Sequence, residues 1–135
     1  MKFKTLTGTQ RRIQNIRKYL INWEKKSKSN FQFKTKKFLK KYWLNHVVFE
    51  ELPVAGTKLS LDFYNANEKV AVEVQGEQHT KFVKFFHGTK ANYVDQLRRD
   101  AQKKEFCVIN NIKLVEIHPK DKINRSLFKK FDITL

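Results

Sequence analysis

Two carboxylates in adjacent apolar runs carry the clearest chemical signal in this chain. Asp62 lies in the alternating run Lys58–Tyr64 and Glu73 in Lys69–Gln75. Strand side chains alternate faces. Ser60, Asp62 and Tyr64 therefore share one face, with Leu59, Leu61 and Phe63 on the other. In the next run Ala71, Glu73 and Gln75 share a face, opposite Val70, Val72 and Val74. A hairpin folded about residues 66–67 sets Asp62 across from Ala71 or Val72 and joins the valines to the leucine face. Asp62 and Glu73 then emerge together as diagonal cross-strand neighbours. Two carboxylates that close on a partly buried sheet repel, and a proton or a cation relieves them. Mg²⁺ suits such a pair, because it takes one or two carboxylates and completes its shell with water and phosphate oxygens. In phosphodiester hydrolysis that ion activates water and stabilises the leaving oxygen. The plain alternative is a pair of solvated sheet carboxylates balanced by lysines.

Charge points to the substrate. Twenty-nine Lys and Arg face thirteen Asp and Glu, a net charge of +16. A field of that sign attracts polyanions through counterion release and long-range steering. Nucleic acid is the first candidate. Anionic lipid is the second, but it calls for a basic amphipathic anchor as well. Ribosomal and other structural RNA binders share this balance, so charge alone names a polyanion and no reaction.

The elements that must position the carboxylates are readable from periodicity. Residues 1–28 are expected to form a basic helical segment, capped near Thr7-Gly8-Thr9, with Ile13, Ile16, Leu20 and Trp23 as its core stripe. Arg11, Arg12, Arg17 and Lys18 lie off that stripe, free for solvent or phosphate. Lys25–Asn30 has the composition of a flexible basic linker. A helix is expected over 30–44, burying Phe31, Thr35, Phe38, Leu39 and Tyr42, with Lys36, Lys37, Lys40 and Lys41 opposite. Three antiparallel strands follow: Val47–Val54, a turn at Ala55–Lys58, and the two carboxylate runs joined by Asn65–Glu68. Residues 76–90 read as a loop, and a helix over 91–107 turns Val94, Leu97 and Ala101 inward. Asn110-Asn111 ends it, and Ile112–Ile117 forms a further strand. The fold class is α/β: a mixed central sheet, a three-stranded antiparallel meander plus one strand, flanked by helices.

The chain has 135 residues, 40% of them hydrophobic and twelve of them Phe, enough for one core without staples. The one cysteine, Cys107 beside Phe106 and Val108, reads as a small core residue and suits a reducing, cytoplasmic setting. No CxxC pair supports structural zinc. No apolar run approaches the roughly 20 residues of a membrane span, so no membrane partner is expected.

Leu61-Asp62-Phe63 followed by Val72-Glu73-Val74-Gln75-Gly76-Glu77-Gln78-His79 resembles the PD-(D/E)XK nuclease superfamily. The nearest likeness is to its very-short-patch-repair-like branch, which includes phage homing-type endonucleases. Val48–Thr57 and Arg98–Ile117 look like the same branch, so the resemblance covers about residues 29–118. It implies a restriction-endonuclease-like core over 29–135 behind a basic extension over 1–28. The implied activity is Mg²⁺-dependent DNA cleavage, with Mn²⁺ as an alternative ion, in the host cytoplasm if the chain is phage-encoded. Asp62 and Glu73 match the acidic ligands, and the carbonyl of Val74 would be a further metal contact. Gln75 stands where the superfamily usually carries lysine, which leaves His79 as the nearest candidate for proton transfer. The first helix offers Gln32 where the family often has Glu. Arg99, Asp100 and Lys103 share a helix face near the site, though Asp95 and Asp100 are also spaced to pair with neighbouring Arg and Lys. Arg11, Arg12, Arg17, Lys18, Lys36, Lys37, Arg99 and Lys103 are the expected DNA contacts. Tyr93 and the Phe82, Phe85 and Phe86 cluster suit a satellite core or base stacking.

Overall fold

A computed structural model describes residues 1–76 and 90–135. His79, Phe82, Phe85, Phe86 and His87 lie outside the described residues. The described elements are β1 (Lys2–Lys4), β2 (Gln10–Arg12), a 3-10 turn (Ile16–Tyr19), α1 (Asn30–Trp43), β3 (Val48–Pro53), β4 (Ser60–Asn65), β5 (Val70–Val74), α2 (Lys90–Ile109), β6 (Lys113–Ile117) and α3 (Arg125–Lys129). The main sheet runs β3-β4-β5-β6. Its first three strands are antiparallel, and β6 is parallel to β5. This is the expected mixed sheet flanked by helices.

The sheet carries a core on each face. Leu39 and Trp43 of α1 and Leu127 and Phe128 of α3 pack with Val48, Phe63, Val70, Val72, Val115 and Ile117. Phe106 and Cys107 of α2, with Phe3 and Ile13, pack with Phe49, Leu52, Leu61, Tyr64 and Ala71. Burial of each large apolar side chain contributes about 1.5–3 kcal/mol. Turn chemistry fixes the connections. Gly56 sits at φ +82°, where a side chain would be strained, and Thr57 N–H donates to the Val54 carbonyl at 3.0 Å. Asn65 Oδ1 accepts from Glu68 N–H, closing the next turn at 3.0 Å. Asn111, at φ +55°, stops α2 as expected.

Four expectations are corrected. Residues 1–28 contain no α-helix; Gly8, at φ +91°, turns a short hairpin, and Asn15 at φ +50° precedes the 3-10 turn. Phe3 and Ile13 anchor this segment, and Lys4 and Asn110 form a reciprocal clasp: Lys4 N–H to Asn110 Oδ1 at 2.8 Å, and Asn110 Nδ2 to the Lys4 carbonyl at 3.0 Å. The basic linker is pinned, since Ser27 Oγ donates to Glu50 at 2.6 Å and Lys36 Nζ to the carbonyls of Asn22 and Lys25. Helix α1 buries Gln32, Thr35, Lys36, Leu39 and Trp43, so its inward face is rotated from the expected stripe. Helix α2 turns Phe106 and Cys107 inward, while Val94 and Leu97 are 49% and 42% exposed and Ala101 is exposed too.

Lys36 is 1% exposed and bonds Glu50 at 2.6 Å. A buried cation held by one carboxylate and two carbonyls ties α1, β3 and the 22–28 segment together. Removing one partner strands the other charge. Lys36→Met is predicted to lower unfolding free energy by about 3–5 kcal/mol, read from urea midpoints. A loss under about 1 kcal/mol, the scale of a surface ion pair, would show that the contact carries no such weight.

Candidate metal centre

The β4–β5 ladder pairs Tyr64 with Ala71 and Phe63 with Val72. The next step along that register sets Asp62 directly opposite Glu73, one closer than the expected diagonal. Ladder pairing stops there, and side chains replace it. Glu73 Oε2 accepts from Asp62 N–H at 2.7 Å, and Asp62 Oδ2 accepts from Val74 N–H at 2.8 Å. Each carboxylate thus uses one oxygen to hold the neighbouring strand.

A backbone irregularity lies one strand away. In β3, Glu51 has φ +56°, and pairing passes from Glu50↔Phe63 to Leu52↔Leu61. Leu61 consequently packs with Phe106, while Phe63 packs with the valines. The expected common face of Leu61 and Phe63 is therefore corrected: regular alternation breaks at Asp62. A left-handed glutamate costs about 1–2 kcal/mol. Bonds to its carboxylate from Gln32 Nε2 at 3.0 Å and Ser60 Oγ at 3.1 Å offset this.

Asp62 and Glu73 are 5% and 4% exposed. Their second oxygens meet ammonium groups: Lys28 lies 3.2 Å from Asp62 Oδ1, and Lys103 lies 2.6 Å from Glu73 Oε1. Burial pushes Glu73 up to about 8, reinforced by the Asp62 charge and opposed by Lys103 and the Asp62 N–H. Burial works against the Lys28 charge, but Asp62 and Glu51 more than offset it and hold that ammonium above its ordinary range. The pair remains short of positive charge.

Gln75 is buried, and its amide donates to Glu116 at 3.3 Å, with Lys104 on that carboxylate's other oxygen. Glu116 is the register partner of Glu73 across β5 and β6, so Gln75 bonds the residue beside the carboxylate pair. Gln32 binds Glu50 and Glu51. Lys103 joins the site as expected. Arg11, Arg12, Arg17, Lys18, Lys37 and Arg99 are exposed. Lys36 is corrected: it is buried in its ion pair and unavailable to DNA. Asp95 pairs with Arg98 at 3.6 Å, as its spacing suggested. His79 lies outside the described residues. Lys28, Lys104, Glu51 and Glu116 were missed. A lysine just before the helix cap Ser29 was the available signal for Lys28, since capping fixes its backbone.

No group of three or more His, Cys, Asp and Glu suited to a metal occurs among the described residues. The donor set is two buried hard carboxylates with Val74 beside them, which fits an oxygen-seeking ion that keeps several waters. Asp62 Oδ1 and Glu73 Oε1 would hold it.

Glu73 also makes stability depend on pH. Its folded value lies above the ordinary 4.5, so its stabilising contribution is full below about 4.5 and is lost as pH rises through about 8. Glu73→Gln should therefore melt about 4 °C or more above the parent near pH 9 and close to it near pH 4. A melting difference that does not change with pH would sink the reading.

No family profile and no solved structure matches the chain. It is similar to three viral proteins. Uncharacterized protein 307L of Invertebrate iridescent virus 6 is 39% identical over 59 residues, 44% of this chain and 30% of the relative. Uncharacterized protein 033L of Invertebrate iridescent virus 3 is 35% identical over 65 residues, 48% and 34% of the two chains. Uncharacterized protein 094L of Frog virus 3 is 39% identical over 66 residues, 48% and 43%. The chain thus spans less than half the length of these relatives. No described helix is long and apolar enough to cross a membrane.

Proposed function

We propose that this chain is a metal-dependent endonuclease that hydrolyses DNA phosphodiesters on a restriction-endonuclease-like core. One observation carries the reading: two buried carboxylates face each other across β4 and β5, each with one oxygen spent on backbone and one on a lysine ammonium. The resemblance over residues 29–118 and the +16 charge support it. Mg²⁺, or Mn²⁺ in its place, would supply an activated water and charge neutralisation at the scissile phosphate. The chain's own residues do the rest. The backbone bonds hold Asp62 and Glu73 in register, and Lys28 and Lys103 flank them with cations for phosphate oxygens. Gln75 and Lys104 keep Glu116 turned to its own partners.

A second reading is a catalytically silent nucleic-acid-binding protein of the same architecture. The observation in its favour is that the second oxygen of each carboxylate already holds an ammonium group, while Gln75 offers no cation of its own.

Supercoiled plasmid separates the two. With Mg²⁺ the protein should yield nicked or linear DNA, and with EDTA none. Asp62→Asn and Glu73→Gln should each lower the rate at least about 100-fold, with DNA affinity retained or tightened. Parent and variants that leave plasmid intact at equal affinity would establish the silent reading; cutting by either variant at the parent rate would unseat the metal assignment.

A further inference from the structure

Beside the carboxylate pair runs a cleft lined by Lys18, Lys25, Lys26 and Lys28, with Glu50 and Glu51 on its inner side. Both acids are engaged: Glu50 by Lys36, Ser27 and Gln32, and Glu51 by Gln32, Ser60 and Lys28. Lys18, Lys25, Lys26 and Lys28 are exposed. Lys28 also reaches Asp62, so the cleft and the candidate centre share that lysine. A second cleft shares Lys18 and Tyr19 and continues along Arg11 and Arg12.

The backbone carrying these cations is fixed. Buried Lys36 holds the carbonyls of Asn22 and Lys25 at 3.0 and 2.6 Å, and Ser27 is tied to Glu50 at 2.6 Å. Residues 20–21 lie along the β3 edge, through the Leu20↔Phe49 bridge and Ile21 N–H to the Val48 carbonyl. Lysines on an ordered backbone bind a polyanion with less ordering left to lose than lysines on a loose tail. The line of positive charge from Lys28 through Lys25, Lys26 and Lys18 to Arg11 and Arg12 complements a row of backbone phosphates.

We propose that this cleft is the phosphate track of a duplex DNA, and that residues 18–28 direct one strand's backbone to Asp62 and Glu73. The inference rests on the nuclease reading for its destination, but its test reads binding alone.

Affinity for a labelled duplex oligonucleotide is measured in EDTA against salt concentration for the parent and two triple variants. Lys18→Gln/Lys25→Gln/Lys26→Gln should flatten the log–log slope by about 2–3, since each phosphate contact adds about 0.9. Lys34→Gln/Lys41→Gln/Lys130→Gln removes the same charge from exposed sites outside both clefts and should flatten it by less than about 1. Equal slopes for the two triples would overturn the track, as would a parent that binds no duplex. Loss of binding to phosphatidylserine vesicles with duplex binding unchanged would assign the cleft to lipid and overturn it too. Intact plasmid cleavage with equal slopes would remove the track alone. The expected slopes without cleavage would remove the nuclease alone.

Discussion

The structure is organised around a shortage of positive charge inside the sheet. Asp62 and Glu73 stand opposite one another with almost no water access, and neither can be ionised cheaply unless a cation is near. Each element around them supplies part of the remedy. β5 and β4 lend N–H groups, α2 lends Lys103, and the segment before α1 lends Lys28. Burial first, and the Asp62 charge second, still raise the proton affinity of Glu73 against those contributions. A pair left in that condition in an otherwise strongly basic protein is suited to a divalent ion that arrives with its own anionic substrate.

A second buried charge stabilises the scaffold. Lys36 ties the base of α1 to β3 and to the backbone ahead of α1. The two charge clusters meet at the Glu50-Glu51 kink. Glu50 takes the structural cation, and Glu51 shares Lys28 with Asp62. The left-handed Glu51 thus stands beside Asp62 across β3 and β4, and Lys28 contacts both.

The central sheet was legible because its strands alternate or run apolar between Gly56 and the Asn65–Lys69 turn, and period-2 patterning leaves little freedom. Asp62 and Glu73 were legible as neighbours because a short turn joins their two strands, although alternation itself breaks at Asp62. Their exact opposition was not, since it depends on a β4–β5 register one step on from the one that a turn about residues 66–67 suggests. The first 28 residues misled because Ile13, Ile16, Leu20 and Trp23 happen to recur at helical spacing, while Gly8 and Asn15 break the backbone between and before them. Lys36 was assigned to solvent on the general rule that lysines face out. Its burial needs Glu50 and two carbonyls from separate segments, which is tertiary information. Lys28 was hidden by its setting among linker-type residues.

The clasp between Lys4 and Asn110 sets a temporal order on the chain. Its partners are 106 residues apart, and the aromatic contact of Phe3 with Phe106 spans nearly as far. A ribosome adding about 5–20 residues per second needs several seconds to cover that interval. Until then the surface that seats Phe3 and Lys4 does not yet exist. Docking of the first strand is therefore a late event, possible only once α2 is complete.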